Sequence, residues 1–444
     1  MTRRRWVLLI ATALAFAAGC SGSTAPQPPP TKESGPATIH AKQQLAPLRV
    51  GENPLWTGPE SWTSRLLHKD GVIGSWAGRG EHQRLAVFDA ATGRTRWTID
   101  TDRPVPGSSG MELSLVDDPQ VVDLGSGWYV LVKYVIPPCP SMMCDRMSTR
   151  ASEQGVVALS GVDGSVKWKT RLAPAYAYPP GNEPDRHPEV SLRAVSPRIA
   201  VATLDPRDGN ESRERAVGLD PVTGRIRWRA DELWPVQVVG DTIVGDDRTD
   251  PGRAEKTVPS GRVAAFAAGT GKKRWSAPYP VSGIETVAGD AVLVDTVDRR
   301  GSFRWTRRIL DIRDGTQRFS LPDKNIDDCV SDGATLIACL RQSGKHGDVT
   351  EHLLTYHVHE RTLTVSRASV EDDYLRLVGA WKGRIYFETG ESSGGLNSES
   401  CHALDAAARP VGADLPGVPD VIGDAFAMLD SFDGDSWTIR RVAA

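Results

Sequence analysis

One pattern recurs along this chain with constant internal spacing, and it limits the folds open to it: an apolar run, a short turn carrying a Gly, and an aromatic four residues after that Gly. It reads LAVFDAATGRTRW at 85–97 and AVGLDPVTGRIRW at 216–228, with weaker copies ending at Trp168, Trp275 and Phe319. Each copy predicts a strand, a tight turn and a second strand. The turns at Thr92-Gly93, Asp163-Gly164, Thr223-Gly224, Thr270-Gly271 and Asp314-Gly315 require positive φ at their second residue, which Gly adopts without steric cost. The aromatics carry too much apolar area to be left in water, so Trp97, Trp168, Trp228, Trp275 and Phe319 are predicted to dock one repeat onto its neighbour.

Around the motif the chain supplies four strands per repeat, for example 119–124, 127–135, 155–159 and 165–170. With 43 Gly and 31 Pro in 444 residues, and apolar runs of period two from about Leu45 onward, the chain reads as all-β. Four antiparallel strands per repeat make a propeller blade. The same register gives degraded units at Leu354–Val365 and at His402–Ala413, where Asp405 keeps the acidic position and the Gly is lost. The last segment, Val418–Val442, supplies only three strands, so the N-terminal segment around Leu48–Val50 is predicted to add the fourth and close the ring. The expected fold is an eight-bladed β-propeller, with seven blades as the alternative; closure removes exposed sheet edges.

The pattern A-x-x-L-D-x-x-T-G-x-x-x-W resembles the repeat of the PQQ-like β-propeller superfamily over nearly all of 45–444. That resemblance implies two kinds of relative: quinoprotein alcohol and glucose dehydrogenases, and non-catalytic bacterial envelope lipoproteins such as the propeller subunit of the outer-membrane β-barrel assembly machinery. The dehydrogenases commonly place adjacent cysteines beside the quinone, with Glu, Asn and Asp ligands to a calcium. This chain has no Cys-Cys dipeptide, and those ligands do not map onto it residue by residue. It also lacks an H-E-x-x-H pair and a phosphate loop. The expectation is a non-catalytic binding or scaffold propeller without cofactor or metal site; the alternatives are a PQQ- or metal-dependent periplasmic dehydrogenase and a small-ligand sensor.

The N-terminus carries Arg3, Arg4 and Arg5, an apolar stretch from Trp6 to Ala18, and Ala17-Ala18-Gly19-Cys20, which resembles a bacterial lipobox. Residues 1–19 are then a lipoprotein signal peptide and Cys20 the diacylated residue, although Ala17 stands where the family usually has Leu. Thr2-Arg3-Arg4-Arg5-Trp6-Val7 also resembles a loose twin-arginine signal. Residues 20–44, rich in Pro, Ser and Gly, predict a flexible tether, and 45–444 the propeller. A formal net charge of -3 offers no basic field for nucleic acid. The expected location is the extracytoplasmic face of the cell membrane, as a lipid-anchored monomeric ring.

Loop length breaks the symmetry of the ring. First-to-second connections are short, as at Lys69-Asp70-Gly71, Gly240-Asp241 and Lys382-Gly383; second-to-third ones are long, at 137–154, 205–214, 246–260, 341–350 and 390–399, as are the blade links 101–118 and 173–189. In an antiparallel blade all the long ones emerge on one face, which is predicted to be the working face, toward another envelope protein or a cell-wall polymer. On that face Cys139 and Cys144 are spaced for a small disulfide ring; Cys329 and Cys339 flank a turn and form a second candidate pair, leaving Cys401 over. His357-Val358-His359 reads as two imidazoles on one strand face without a third ligand. The acidic segments 205–210 and 430–435 lack the spacing of a calcium loop and read as turns.

Overall fold

All regular elements among the described residues are strands, and none is helical. The computed structural model describes residues 49–443 apart from 52, 59–61, 78–82, 102, 109, 116, 137–152, 175–188, 206–214, 232, 248–260, 299–303, 322–325, 344–349, 368–373, 391–397, 413 and 431–435.

Two short strands come first, β1 (Arg49–Val50) and β2 (Trp56–Thr57). The first blade is β3 (Trp62–His68), β4 (Gly71–Ala77), β5 (Gln83–Asp89) and β6 (Thr95–Asp100). In the second, the inner strand is split into β7 (Glu112–Ser114) and β8 (Gln120–Asp123), both paired with β9 (Trp128–Ile136), and β10 (Glu153–Ser160) and β11 (Val166–Pro174) follow. The third is β12 (Glu189–Val195), β13 (Ala200–Asp205), β14 (Arg215–Leu219) and β15 (Ile226–Asp231). The fourth holds β16 (Leu233–Val239), β17 (Thr242–Asp247), β18 (Gly261–Ala267) and the first part of β19 (Lys273–Ala288). The remainder of β19 crosses to become the inner strand of the fifth, beside β20 (Ala291–Asp298), β21 (Arg304–Asp311) and β22 (Gln317–Leu321). The sixth is β23 (Ile326–Ser331), β24 (Leu336–Ser343), β25 (Thr350–His357) and β26 (Thr362–Arg367), and the seventh β27 (Tyr374–Trp381), β28 (Arg384–Gly390) and β29 (Ser398–Leu404).

The eighth blade is composite. β30 (Val418–Ile422), β31 (Phe426–Asp430) and β32 (Trp437–Ala443) are joined by both N-terminal strands, with Arg49 opposite Ala443, Val50 opposite Val442 and Trp56 opposite Ile439. The chain is thus an eight-bladed propeller closed by its N-terminal segment.

Middle strands are apolar on consecutive residues because blades stack on both their faces. Gln154 to Ser160 in β10 are all buried, and Val130 to Lys133 of β9 likewise. Between the first two blades, Leu85, Val87 and Trp97 pack with Val130, Val132 and Val157. Across the closing seam, Val72 and Ala90 pack with Met428, Trp437 and Ile439.

The recurrent motif is a connector between blades. The Nε1–H of Trp97 donates to the Gly161 carbonyl of the second blade (3.2 Å), Trp168 to Pro221 of the third (2.9 Å), Trp228 to Ala268 of the fourth (2.7 Å) and Trp275 to Ile312 of the fifth (2.7 Å). At the seam Trp56 of β2 does the same to Ala90 of the first blade (2.9 Å). Each ring lies on the turn Gly of the next blade: a Cβ on Gly224 would sit 2.5 Å from Trp168 Cε3, and one on Gly315 2.5 Å from Trp275 Cε3. Glycine is required there twice, for φ (+72° at Gly224) and for the approach of the indole. Phe319 instead packs against Tyr356 of the sixth blade, ring centroids 6.5 Å apart.

The seventh blade departs from four full strands. In place of a fourth, residues 405–417 make single-residue bridges, Leu404 to Pro410 and Cys401 to Leu415. Pro410 and Pro416 lack the N–H that a continuous ladder needs.

Candidate functional site

The two faces of the ring differ in how their polar groups are used. On the short-turn face, the Arg preceding the aromatic of the motif staples the blade's turns together. Arg96 Nη2 lies 2.7 Å from Asp70 Oδ2 in the first turn and 2.9 Å from Asp89 Oδ2 at the end of β5. Arg274 reaches Asp241 (2.6 Å), and Arg227 reaches Asp220 (2.5 Å) and the Arg198 carbonyl (3.1 Å). The fifth blade buries its version: Arg318, with a side chain 3% exposed, contacts Asp290 and Asp311, each at 2.7 Å. These cations hold the carboxyls of Asp70, Asp241 and Asp290 below the usual carboxylate range, and Arg313 with Arg318 holds Asp311 far below it. These carboxylates are therefore held within the fold.

On the opposite face, the second-to-third connections 137–152, 206–214, 248–260, 344–349 and 391–397 and the blade link 175–188 lie outside the described residues. The strand ends beneath them are described, and they are laced by cross-strand ion pairs: Arg84–Asp100 (2.7 Å), Arg215–Asp231 (3.1 Å), Arg307–Asp295 (3.0 Å) and Arg376–Glu388 (3.0 Å). Lys133 bridges the second blade to Glu189 of the third (3.3 Å). Tyr134 donates to Glu153 (2.5 Å), and burial followed by that bond pushes its hydroxyl well above the ordinary range. The result is a rim of strand ends tied across strands and, through Lys133, from one blade to the next.

The structure places the remaining singled-out residues as follows. Cys329 and Cys339 sit opposite each other on β23 and β24 and form a disulfide with Cα atoms 4.2 Å apart. Cys401 is a buried free thiol, and burial raises its pKa strongly. Cys20, Cys139 and Cys144 lie outside the described residues. β25 ends at His357 and His359 falls in the following turn, so the two imidazoles do not share a strand. Among the described residues no group of three or more His, Cys, Asp or Glu side chains is placed to hold a metal ion. Sequence reasoning missed the Arg staples and the docking role of Trp56. The first had a visible signal, since Arg directly precedes the aromatic at Arg96, Arg227, Arg274 and Arg318; Trp56 stands outside any copy of the motif.

Residues 55–231, from the closing segment through the third blade, match the family described as outer membrane protein assembly factor BamB. Over that stretch the chain is similar to the PQQ-like β-propeller family. Solved structures similar to this propeller include BamB from Moraxella catarrhalis, at 13% identity and a TM-score of 0.42, covering 85% of this chain and 93% of that one. The quinohemoprotein alcohol dehydrogenase from Comamonas testosteroni is 10% identical with a TM-score of 0.43, over 85% of this chain and 70% of that one. The β-propeller domain of the Trilobed protease from Pyrococcus furiosus is 14% identical with a TM-score of 0.40, over 75% and 94%. No curated protein matches the sequence.

Proposed function

We propose that this propeller is an exported lipoprotein, anchored through Cys20 at the extracytoplasmic face of a bacterial cell membrane, that binds another envelope protein or a cell-wall polymer through its long-loop face. The observation that carries the reading is the asymmetry of the ring: on one face consecutive strands are joined by short turns tied by Arg–Asp staples, while the strand ends that lead into the long connections lie on the opposite rim. Binding residues favour loops held on a rigid scaffold. The match of 55–231 to a family described as an assembly factor supports a protein partner in the envelope. The signal at 1–19 and the tether at 20–44 support presentation as the mechanism: a diacyl anchor and a short linker raise the effective concentration of the monomeric ring for a neighbour.

Crosslinking and recovery from intact cells tests this, comparing the full lipoprotein with Cys20→Ser and with variants shortened within 137–152 or within 175–188. Anchor-dependent recovery of one envelope component, lost on shortening while the melting temperature holds, is the expected result. Recovery that survives both deletions would reject the chosen face. Saturable binding of PQQ by the purified ring, with no partner recovered, would replace the scaffold reading by the redox one.

A further inference from the structure

The degenerate seventh blade holds a constellation that the loop-face reading does not use. Ser400 and His402 are two apart on β29 and so project from the same side of the strand. Ser400 Oγ lies 2.8 Å from His402 Nε2, and His402 Nδ1 lies 2.6 Å from Asp414 Oδ1. Thr389 Oγ1, on β28, lies 2.6 Å from Ser400 Oγ. Asp414 comes from the segment that replaces the fourth strand, and the neighbouring Leu415 N–H fixes that segment to the Cys401 carbonyl at 2.8 Å.

With His402 neutral and its Nδ1–H donated to Asp414, these contacts take one direction. An ionised Asp414 only accepts, so Nδ1 carries the imidazole proton and Nε2 presents its lone pair. Ser400 O–H then donates to Nε2, and Thr389 O–H donates to Ser400 Oγ. This is the order nucleophile, base, orienting carboxylate that activates a serine, at hydrogen-bond distances suited to proton transfer.

Position adds a second, independent observation. Among the described residues no fourth strand pairs with Ser398 to Ser400. Pairing with β28 slips between Thr389 and Gly390, with Ser398 opposite Gly390 and Ser400 opposite Thr389. Bulges of this kind re-aim side chains beside functional sites. The side chains of His402 and Asp414 are 29% and 66% exposed, so a small substrate can reach the imidazole.

We propose that Ser400 and His402 form a hydrolytic site for small carboxylic esters, with Asp414 and Thr389 as positioning residues. Ser400 Oγ attacks the ester carbonyl carbon while its proton passes to His402 Nε2. The bond to the alkoxy group then breaks, the imidazolium gives its proton to the departing oxygen, and alcohol leaves from an acyl-Ser400. Water, deprotonated by Nε2, attacks the acyl carbonyl; the acid is released and Ser400 is restored with its proton. The sum is ester plus water giving acid plus alcohol. This site does not depend on the loop-face reading, and neither result decides the other.

The test treats the full chain with a fluorophosphonate probe, maps the adduct by peptide mass spectrometry, and follows 4-nitrophenyl acetate hydrolysis in parallel. A wild-type adduct on Ser400 is expected, with turnover falling to background in Ser400→Ala. His402→Gln keeps the serine and should lose its labelling. Asp414→Asn, at an exposed position, should slow labelling by roughly 100- to 10,000-fold at unchanged melting temperature, with Asp414→Glu recovering part of the rate. An unlabelled Ser400 in the wild type, or equal labelling rates in the wild type and Asp414→Asn, would overturn the proposal and leave these residues as a tie between the terminal segment of the blade and β29.

Discussion

The first four blades and the sixth and seventh are joined to their neighbours by different connectors. From the first to the fourth, an indole lies on the next blade's turn Gly and donates to that blade's carbonyl. In the sixth blade the corresponding turn holds Arg361 at φ 55°, and the fourth strand shows Val365, which is exposed, where earlier blades place Trp. In the seventh, Ala408 takes φ 59° and the fourth strand is reduced to two bridges. Gly and Trp are lost together because each serves the other: without an indole above, a Cβ is sterically tolerated, and the only remaining cost is the left-handed backbone itself. The motif is therefore a property of interfaces between blades.

The comparison is broken most severely at an intact connector. Trp228→Ala should destabilise by about 3 to 5 kcal/mol in denaturant titration, the range for truncating a buried large aromatic, whereas Val365→Ala, exposed in the sixth blade, should change stability by less than about 0.5 kcal/mol. Equal effects at the two positions would mean that Trp228 does not dock blades.

Removing the buried staple comes next. Arg318→Ala removes the buried cation shared by Asp290 and Asp311, leaving Asp311 to the more exposed Arg313 and Arg361, and should cost about 2 kcal/mol. The same site dictates a direction for pH. Because Asp290 and Asp311 have lowered pKa values in the folded protein, their contribution is complete above the ordinary Asp value near about 3.9 and is lost as pH falls below it toward the depressed values. Wild-type stability should drop progressively below about pH 4, more steeply than that of Arg318→Ala; parallel acid profiles would show that the pair is not linked to folding.

The smallest effects sharpen the contrast by exchanging the connectors' small residues. Gly224→Ala meets both the left-handed φ and the Trp168 ring, so it should destabilise by about 2 kcal/mol, while Ala408→Gly, with the same sign of φ and no indole above it, should stabilise by up to about 1 kcal/mol. Melting curves of the pair, with opposite signs, are the check.

Blade architecture was legible because Gly and the aromatic recur at one spacing within each repeat. What the spacing hid is that their partners belong to the next repeat, so Trp97 acts on Gly164 and not on its own Gly93. The Cys329–Cys339 bridge has both partners beside a single turn, a short-range relation that sequence displays. The Arg96–Asp70 staple joins residues 26 apart, and the Ser400–His402–Asp414 contacts depend on a bulge and on the absence of a strand, neither of which has a periodic signature. Trp56 escaped for another reason: it does a blade's work from a segment that is not a blade.

The composite eighth blade makes the ring's completion a property of both chain ends. Gly51 and Arg440, whose carbonyl and guanidinium meet at 3.0 Å, are 389 residues apart in sequence. Bringing such distant points together carries a loop-closure entropy of about 5 kcal/mol in an otherwise unstructured chain, and most of that is removed once the intervening blades have stacked. Closure is thus most favourable as the last event of folding, and the ribosome must release the final strand before the circle can lock. The seam is a clasp: seven blades can order as an open arc, but only a full-length chain can become a ring.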